Sequence, residues 1–132
     1  MAKLNQTQYL NEAVEKQLGF AASVQSGNVI HLSGLIAMDE QMNIVAPGDM
    51  AGQITQIYNL MEMVLELHNA TLADVVNEFI FVTDLAALTE AAATRIARYA
   101  DCEPPATTAV QVAALFSPDA MIEIQATAIL DQ

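Results

Sequence analysis

Few side chains in this sequence have the chemistry to move a proton or attack a carbon, and each can be weighed against its neighbours. Glu123 lies in Ile122-Glu123-Ile124-Gln125-Ala126-Thr127-Ala128, whose period-two alternation predicts a strand. Ile122, Ile124, Ala126 and Ala128 then share one face, and Glu123, Gln125 and Thr127 the other. A carboxylate beside apolar walls has a raised pKa and can take a proton from water as a general base. It can equally bond backbone groups at a subunit interface, and both roles stay open. Ser33, at a strand end before Gly34, has a hydroxyl that could orient a ligand or simply satisfy backbone. Cys102 lies between Asp101 and Glu103, a setting that disfavours a thiolate. His31 has no Cys or His at metal spacing and His68 closes an apolar helical stripe, so no metal site is assigned.

The elements that must hold these groups follow from pattern. Phe20 to Val24 and Val29 to Ser33 read as two strands joined by Gln25-Ser26-Gly27-Asn28. Gly34 marks a bulge or the close approach of another backbone. Ala37 to Pro47 reads as an irregular connection with little to anchor it. Asp49 is placed to cap the longest helix, which runs to about His68 with Ile54, Ile57, Met61, Val64, Leu65 and His68 on its apolar face. Thr71 to Asp74 has the pattern of a capped turn. Val75 to Thr83 is apolar on both parities, as a central strand covered on both faces would be. Asp84 caps a second helix from Leu85 to about Ala100, with Leu85, Leu88, Ala92, Ile96 and Tyr99 inward, and Pro104-Pro105 ends it. Thr107 to Val112 is another strand, and Phe116-Ser117-Pro118-Asp119 predicts a hairpin turn into the last one. The order is β-β-α-β-α-β-β, with two helices on one sheet face and a mixed face, carrying Gln111, Glu123, Gln125 and Thr127, on the other.

Composition bounds the function. A chain of 132 residues is read as a single domain, residues 1–132, with a core of its own. Hydrophobic residues make up 54% of it against 15% charged, and mean hydropathy is +0.34, more apolar surface than one small core hides. No apolar run approaches the roughly 20 residues that span a bilayer, and the N-terminus has no apolar leader, so the expectation is an oligomeric cytoplasmic protein without membrane contact. One cysteine excludes an internal disulfide and fits a reducing compartment. Four Lys and Arg against sixteen Asp and Glu give a net charge of −12, which repels phosphate backbones and argues against a nucleic-acid partner.

Taken in order, Ser26-Gly27-Asn28, Leu32-Ser33-Gly34, Pro47-Gly48-Asp49, Leu72-Ala73-Asp74-Val75-Val76, Phe81-Val82-Thr83-Asp84-Leu85, Pro105-Ala106, Val110-Gln111-Val112-Ala113-Ala114-Leu115 and Ile122-Glu123-Ile124-Gln125-Ala126 resemble the Rid family, the reactive intermediate deaminases or YjgF-like proteins. The resemblance spans nearly the whole chain. It implies a chorismate-mutase-like α+β fold with a mixed sheet and a homotrimer with small-molecule clefts between subunits. It also implies hydrolysis, without a cofactor, of enamines and imines such as 2-aminoacrylate or 2-iminobutanoate. In the family a Pro-Ala-Arg motif supplies the arginine that forks onto the substrate carboxylate; here it reads Pro105-Ala106-Thr107, and a single hydroxyl cannot replace that fork. The family tyrosine near the N-terminus matches Phe20, the asparagine of the second helix matches Ala92, and a frequent cysteine matches Ala109. Glu123 matches the family's water-holding glutamate. By this resemblance Glu123 is the candidate catalytic residue, and Phe20, Ser33 and Thr107 are candidate ligand contacts. Three functions follow: a metabolite-binding trimer, a working imine deaminase in which another group replaces the arginine, or a regulatory interaction protein without chemistry.

Overall fold

The computed structural model describes residues 5–131 and shows an α+β fold around one mixed six-stranded sheet. In chain order the elements are β1 (Gln6–Gln8), α1 (Glu12–Leu18), β2 (Ser23–Ser26), β3 (Val29–Leu32), α2 (Met50–Glu66), a 3₁₀ turn (Leu72–Asp74), β4 (Val75–Val82), α3 (Leu85–Glu90), α4 (Ala92–Arg98), β5 (Ala106–Gln111) and β6 (Ile122–Ile129). The strands lie in the order β1-β2-β3-β6-β4-β5. The pair β4 and β5 is parallel, and every other pair is antiparallel.

The longest helix forms as its sequence dictates. The Asp49 carboxylate accepts from Gly52 N at 3.0 Å, and Ile54, Ile57, Met61, Val64 and Leu65 are fully buried against the sheet. On the sheet, Ile30, Ile80, Val82, Ile122, Ile124 and Ala128 belong to the same core. His68 is buried with its Nε2 2.6 Å from Ser23 Oγ and its Nδ1 3.0 Å from Gln25 Oε1, a packed histidine as its position at the end of the stripe predicts. Thr71 and Asp74 form a reciprocal capping box.

Five expectations are overturned. The last two strands do not form a hairpin: β5 pairs in parallel with β4, and β6 lies on the other side of β4. The α3–α4 crossover carries the chain back to start β5 beside β4, as a parallel pair requires. That register turns Gln111 to the helix side, opposite Val82 and bonded to Leu85 N, not to the mixed face with Glu123. The second helix breaks at Ala91 into two, which leaves Leu85 exposed and Ile96 64% exposed while Tyr99 is buried. The connection after Gly34 is anchored throughout: Met38 bridges Ile44, Asp39 Oδ1 accepts from Gln41 N and Asn43 N, and Gln56 Nε2 donates to Met38 O. Finally, β4 is covered on one face alone within the chain, since Phe79 and Val76 are exposed.

Among the described residues no helix is long and apolar enough to cross a membrane.

Candidate functional site

The site is built where β3 gives way to a bulge. His31 pairs with Thr127, but four residues later Leu35 pairs with Ile124, so the β3 side carries one residue more than β6. Leu35 N and Ile124 N each donate to the other's carbonyl, at 2.8 and 3.0 Å, and lock this register. Ser33 tightens the turn: its N–H donates to Ala22 O and its Oγ to Ala21 O at 2.5 Å. The Ser33 hydroxyl is therefore spent on backbone. Gly34 then lies against the Glu123 side chain, and a Cβ at residue 34 would overlap the Glu123 carboxylate. The bulge stands where the sequence places it, but what approaches Gly34 is the Glu123 side chain, not the backbone expected there.

Glu123 projects from the face opposite the helices, beside Phe81 of β4 in register. It is half-buried, burial raises its pKa above the ordinary 4.5, and among the described residues no hydrogen-bond donor reaches its carboxylate. A carboxylate in this state keeps its lone pairs free for water. Next to it, Gly34 forms part of the wall of a cavity of about 510 Å³, with Phe20, Leu35, Ile36, Met38 and Leu60. Phe20 reaches this wall through α1, which the sequence analysis missed. Asn11 caps that helix, Glu15 accepts from Leu10 N and Asn11 N at 2.8 Å, and Gly19 ends it in the left-handed region at φ 86°. Gly19 N donates to Lys16 O and Phe20 N to Glu15 O, a Schellman ending that fixes Phe20. The asparagine, the glutamate four residues on and the glycine were the available signal.

Thr107 stands elsewhere. It is near the start of the exposed edge strand β5, opposite Glu78, on the helix side of the sheet, so one chain does not bring Thr107 together with Glu123. What the structure does bring to Thr107 is Arg95. Its Nη2 donates to Thr107 Oγ1 at 2.9 Å and to Glu78 Oε1 at 2.5 Å, and its Nε donates to Tyr58 Oη at 3.0 Å and Glu78 Oε1 at 3.2 Å. Glu78 is fully buried and also accepts from Tyr58 Oη and Tyr99 Oη. Burial opposes charge on Arg95, but the hydrogen bonds and charge of Glu78 outweigh it and raise its pKa. Burial, then the nearby negative charge, pushes both tyrosine pKa values up, so the phenols stay protonated and donate. The break at Ala91 directs Arg95 and Tyr99 inward, one turn apart, where a continuous helix was expected to direct Ile96. The signal for this was Glu78, a lone carboxylate inside an apolar strand that needs a buried partner.

Ala92 opens α4 and Ala109 lies on β5 two residues from Thr107. Cys102 is a free thiol packed against the core. Among the described residues no group of three or more His, Cys, Asp or Glu is placed to hold a metal ion.

Residues 11–130 match the family model described as Endoribonuclease L-PSP. A 3-aminoacrylate deaminase, RutC, of Acinetobacter baylyi is 32% identical over 112 residues, covering 83% of this chain and 85% of the relative. A RutC family protein of Sulfurisphaera tokodaii is 29% identical, covering 86% and 90%. Among solved structures, a Mycobacterium tuberculosis member of the YjgF/YER057c/UK114 family superposes with a TM-score of 0.82 at 26% identity, over 96% of this chain and 99% of that one. The yjgF gene product of E. coli gives 0.78 at 30% identity, over 85% and 88%. A family match over nearly the whole length, on a sheet of the same architecture, means that the chain belongs to the Rid family of YjgF-like proteins.

Proposed function

We propose that this protein is a homotrimer that binds a small enamine or imine in clefts between subunits and hydrolyses it to the carbonyl compound and ammonia. The observation that carries this reading is Glu123: a half-buried carboxylate of raised pKa, free of protein donors among the described residues, against Gly34, which itself lines the neighbouring cavity. The enamine first takes a proton from solvent on carbon to become the iminium, C=NH2+. Glu123 then accepts a proton from water as the water oxygen bonds to the C=N carbon, and the C=N π electrons move to nitrogen. The proton passes from Glu123 to that nitrogen. Ammonia leaves as the hydroxyl gives its proton to the now ionised Glu123 and the C=O bond forms, and Glu123 returns that proton to solvent. No cofactor is needed, because the C=N carbon is already electrophilic.

The trimer is supported by the exposed edge strand and the apolar surface around it. All six residues of β5 are exposed, with Val110 and Phe79 on the face opposite the helices and Phe116, 80% exposed, just beyond. An edge left this open calls for a partner. A second copy supplying its β5 edge would set Thr107 of one subunit against the Glu123 wall of the next, which one chain alone does not do. The deaminase named among the relatives supports the reaction class.

The test is ketoacid and ammonia release from 2-iminobutanoate generated in situ. The reading expects acceleration by the protein and its loss in Glu123→Gln. An inert protein that still binds the product 2-oxobutanoate would mean a binding module, and one that neither hydrolyses nor binds would mean an interaction protein.

A further inference from the structure

We infer that the cavity lined by α1, α2 and the connection after Gly34 is a binding site for a small primary amine with an apolar body, whose ammonium meets Glu15. The site lies within one chain and needs neither a second copy nor Glu123, so it stands or falls apart from the cleft reading.

The cavity of about 510 Å³ is walled mainly by apolar side chains, among them Met38, Met42, Leu60 and Met63. That volume suits a small organic molecule, and three flexible thioethers can close around an alkyl or aryl body of varied shape. Its charged groups are all of one sign. Glu15, Asp39 and Glu40 line it, and among the described residues no lysine, arginine or histidine does.

The state of Glu15 turns this acidic lining into a site. The residue is only 6% exposed. Its Oε1 accepts from Leu10 N and Asn11 N, both at 2.8 Å, while Oε2 receives no hydrogen bond from any described residue. Every fully enclosed side-chain oxygen or nitrogen among the described residues has a partner, so Oε2 keeps an open side, and the space that Glu15 lines is the cavity. A carboxylate held this far from bulk water is costly unless a donor or a cation answers it. The described cations are committed elsewhere. Lys16 pairs with Glu12 and lies over the Tyr9 ring, Arg95 is held by Glu78, and Arg98 by Asn59 and Glu62.

The pocket is also built in advance. The two bonds to Oε1 fix the carboxylate, Gln56 Nε2 donates to Met38 O at 2.6 Å, and Asp39 Oδ1 accepts from Gln41 N and Asn43 N, so the loop wall is in place before a ligand arrives. An acceptor fixed in this way loses little freedom on binding. The ligand class follows from these groups. A primary ammonium brings the N–H that Oε2 lacks, in a charge-assisted bond, and a quaternary ammonium does not. The negative lining rejects a carboxylate on the same ligand, which points to an alkyl- or arylamine and away from an amino acid.

The experiment titrates 2-phenylethylamine calorimetrically into the protein at neutral pH and about 0.15 M salt, where distant charges are screened, beside the neutral 2-phenylethanol and the anionic 3-phenylpropanoate. The amine should bind about 10- to 100-fold more tightly than the alcohol, and the acid more weakly than either. Glu15→Gln keeps a carbonyl for the two backbone donors and should bring amine and alcohol within about threefold of each other. Attraction by the overall charge of −12 would survive that variant. Met63→Lys carries the test if Glu15→Gln fails to fold. Met63 is 54% exposed, so the change is compatible with folding, and its ammonium at the cavity mouth should lower amine affinity about tenfold or more. No preference for the amine in the intact protein, or a preference unchanged in Glu15→Gln or Met63→Lys, overturns the inference. Glu123→Gln should leave amine affinity within about twofold; its loss there would put the amine in the cleft and overturn the inference as well. Glu15-dependent amine binding with imine turnover indifferent to Glu123→Gln keeps this site and sinks the cleft.

Discussion

Burial raises the pKa of Glu123, and the sign of that shift fixes two pH dependences. A general base works ionised, so kcat/KM for imine hydrolysis should rise with pH through a single limb whose midpoint lies above 4.5. Glu123→Gln should lower kcat by about 10²- to 10⁴-fold and abolish that limb. Stability runs the other way. A raised folded pKa favours the protonated form, so this contribution is full below 4.5 and is lost as pH rises through the folded value. Glu123→Gln should therefore melt at or above the parent temperature at pH 7, by calorimetry, with the difference closing below 4.5. Gly34 supplies an independent handle. Its φ is not in the left-handed region, and what an added Cβ would meet is the tip of a flexible side chain. Gly34→Ala should keep Tm within a few degrees but displace the carboxylate, costing about tenfold or more in kcat/KM. Unchanged kinetics would mean that the position of Glu123 does not matter.

At the scale of elements, side chains rather than hydrophobic area alone decide how α2 and α4 sit on the sheet. Gln53 is fully buried on α2; its amide donates to Asp119 O at 2.9 Å and its oxygen accepts from Met121 N at 2.8 Å, tying the approach to β6. Gln53→Leu would leave both groups without those bonds and should cost about 2–4 kcal/mol in urea denaturation. His68 joins the end of α2 to β2 in the same way, and burial lowers its pKa. With Nδ1 donating to Gln25 Oε1, Nε2 accepts from Ser23, and a second ring proton would break that bond. A depressed histidine pKa gives stability that is present above 6.5 and lost as pH falls below it through the folded value. The parent Tm should fall between pH 7 and 5 more steeply than that of His68→Gln, whose amide can keep both bonds without titrating. Equal slopes would place the titration elsewhere.

For the whole molecule the open edge is the dominant feature. A strand exposed at all six residues, flanked by Phe79, Val110 and Phe116, is hazardous on a monomer and ordinary at an interface. Light scattering after gel filtration should give three times the chain mass of 14.2 kDa. Val110→Lys should dissociate the assembly, and imine turnover should fall with it, because the β5 edge and the Glu123 wall would no longer meet. A monomer with full activity would place the whole site inside one chain. The parent Tm should also rise with protein concentration, as it does wherever association stabilises the folded chain.

Local pattern determined much of this protein. The Asp49 cap, the apolar stripe of α2, the Thr71–Asp74 capping box, the period-two face of β6 and the glycine at the bulge were all legible, because each depends on neighbours within a few residues. The family resemblance singled out Glu123 and Thr107 as candidate positions. Tertiary structure decided the rest. Whether β6 pairs with β5 or with β4 depends on a crossover that no turn residue encodes, and the inward turn of Arg95 depends on a helix break and a buried carboxylate seventeen residues away. Both are settled by long-range partners, in a register that local propensity does not contain.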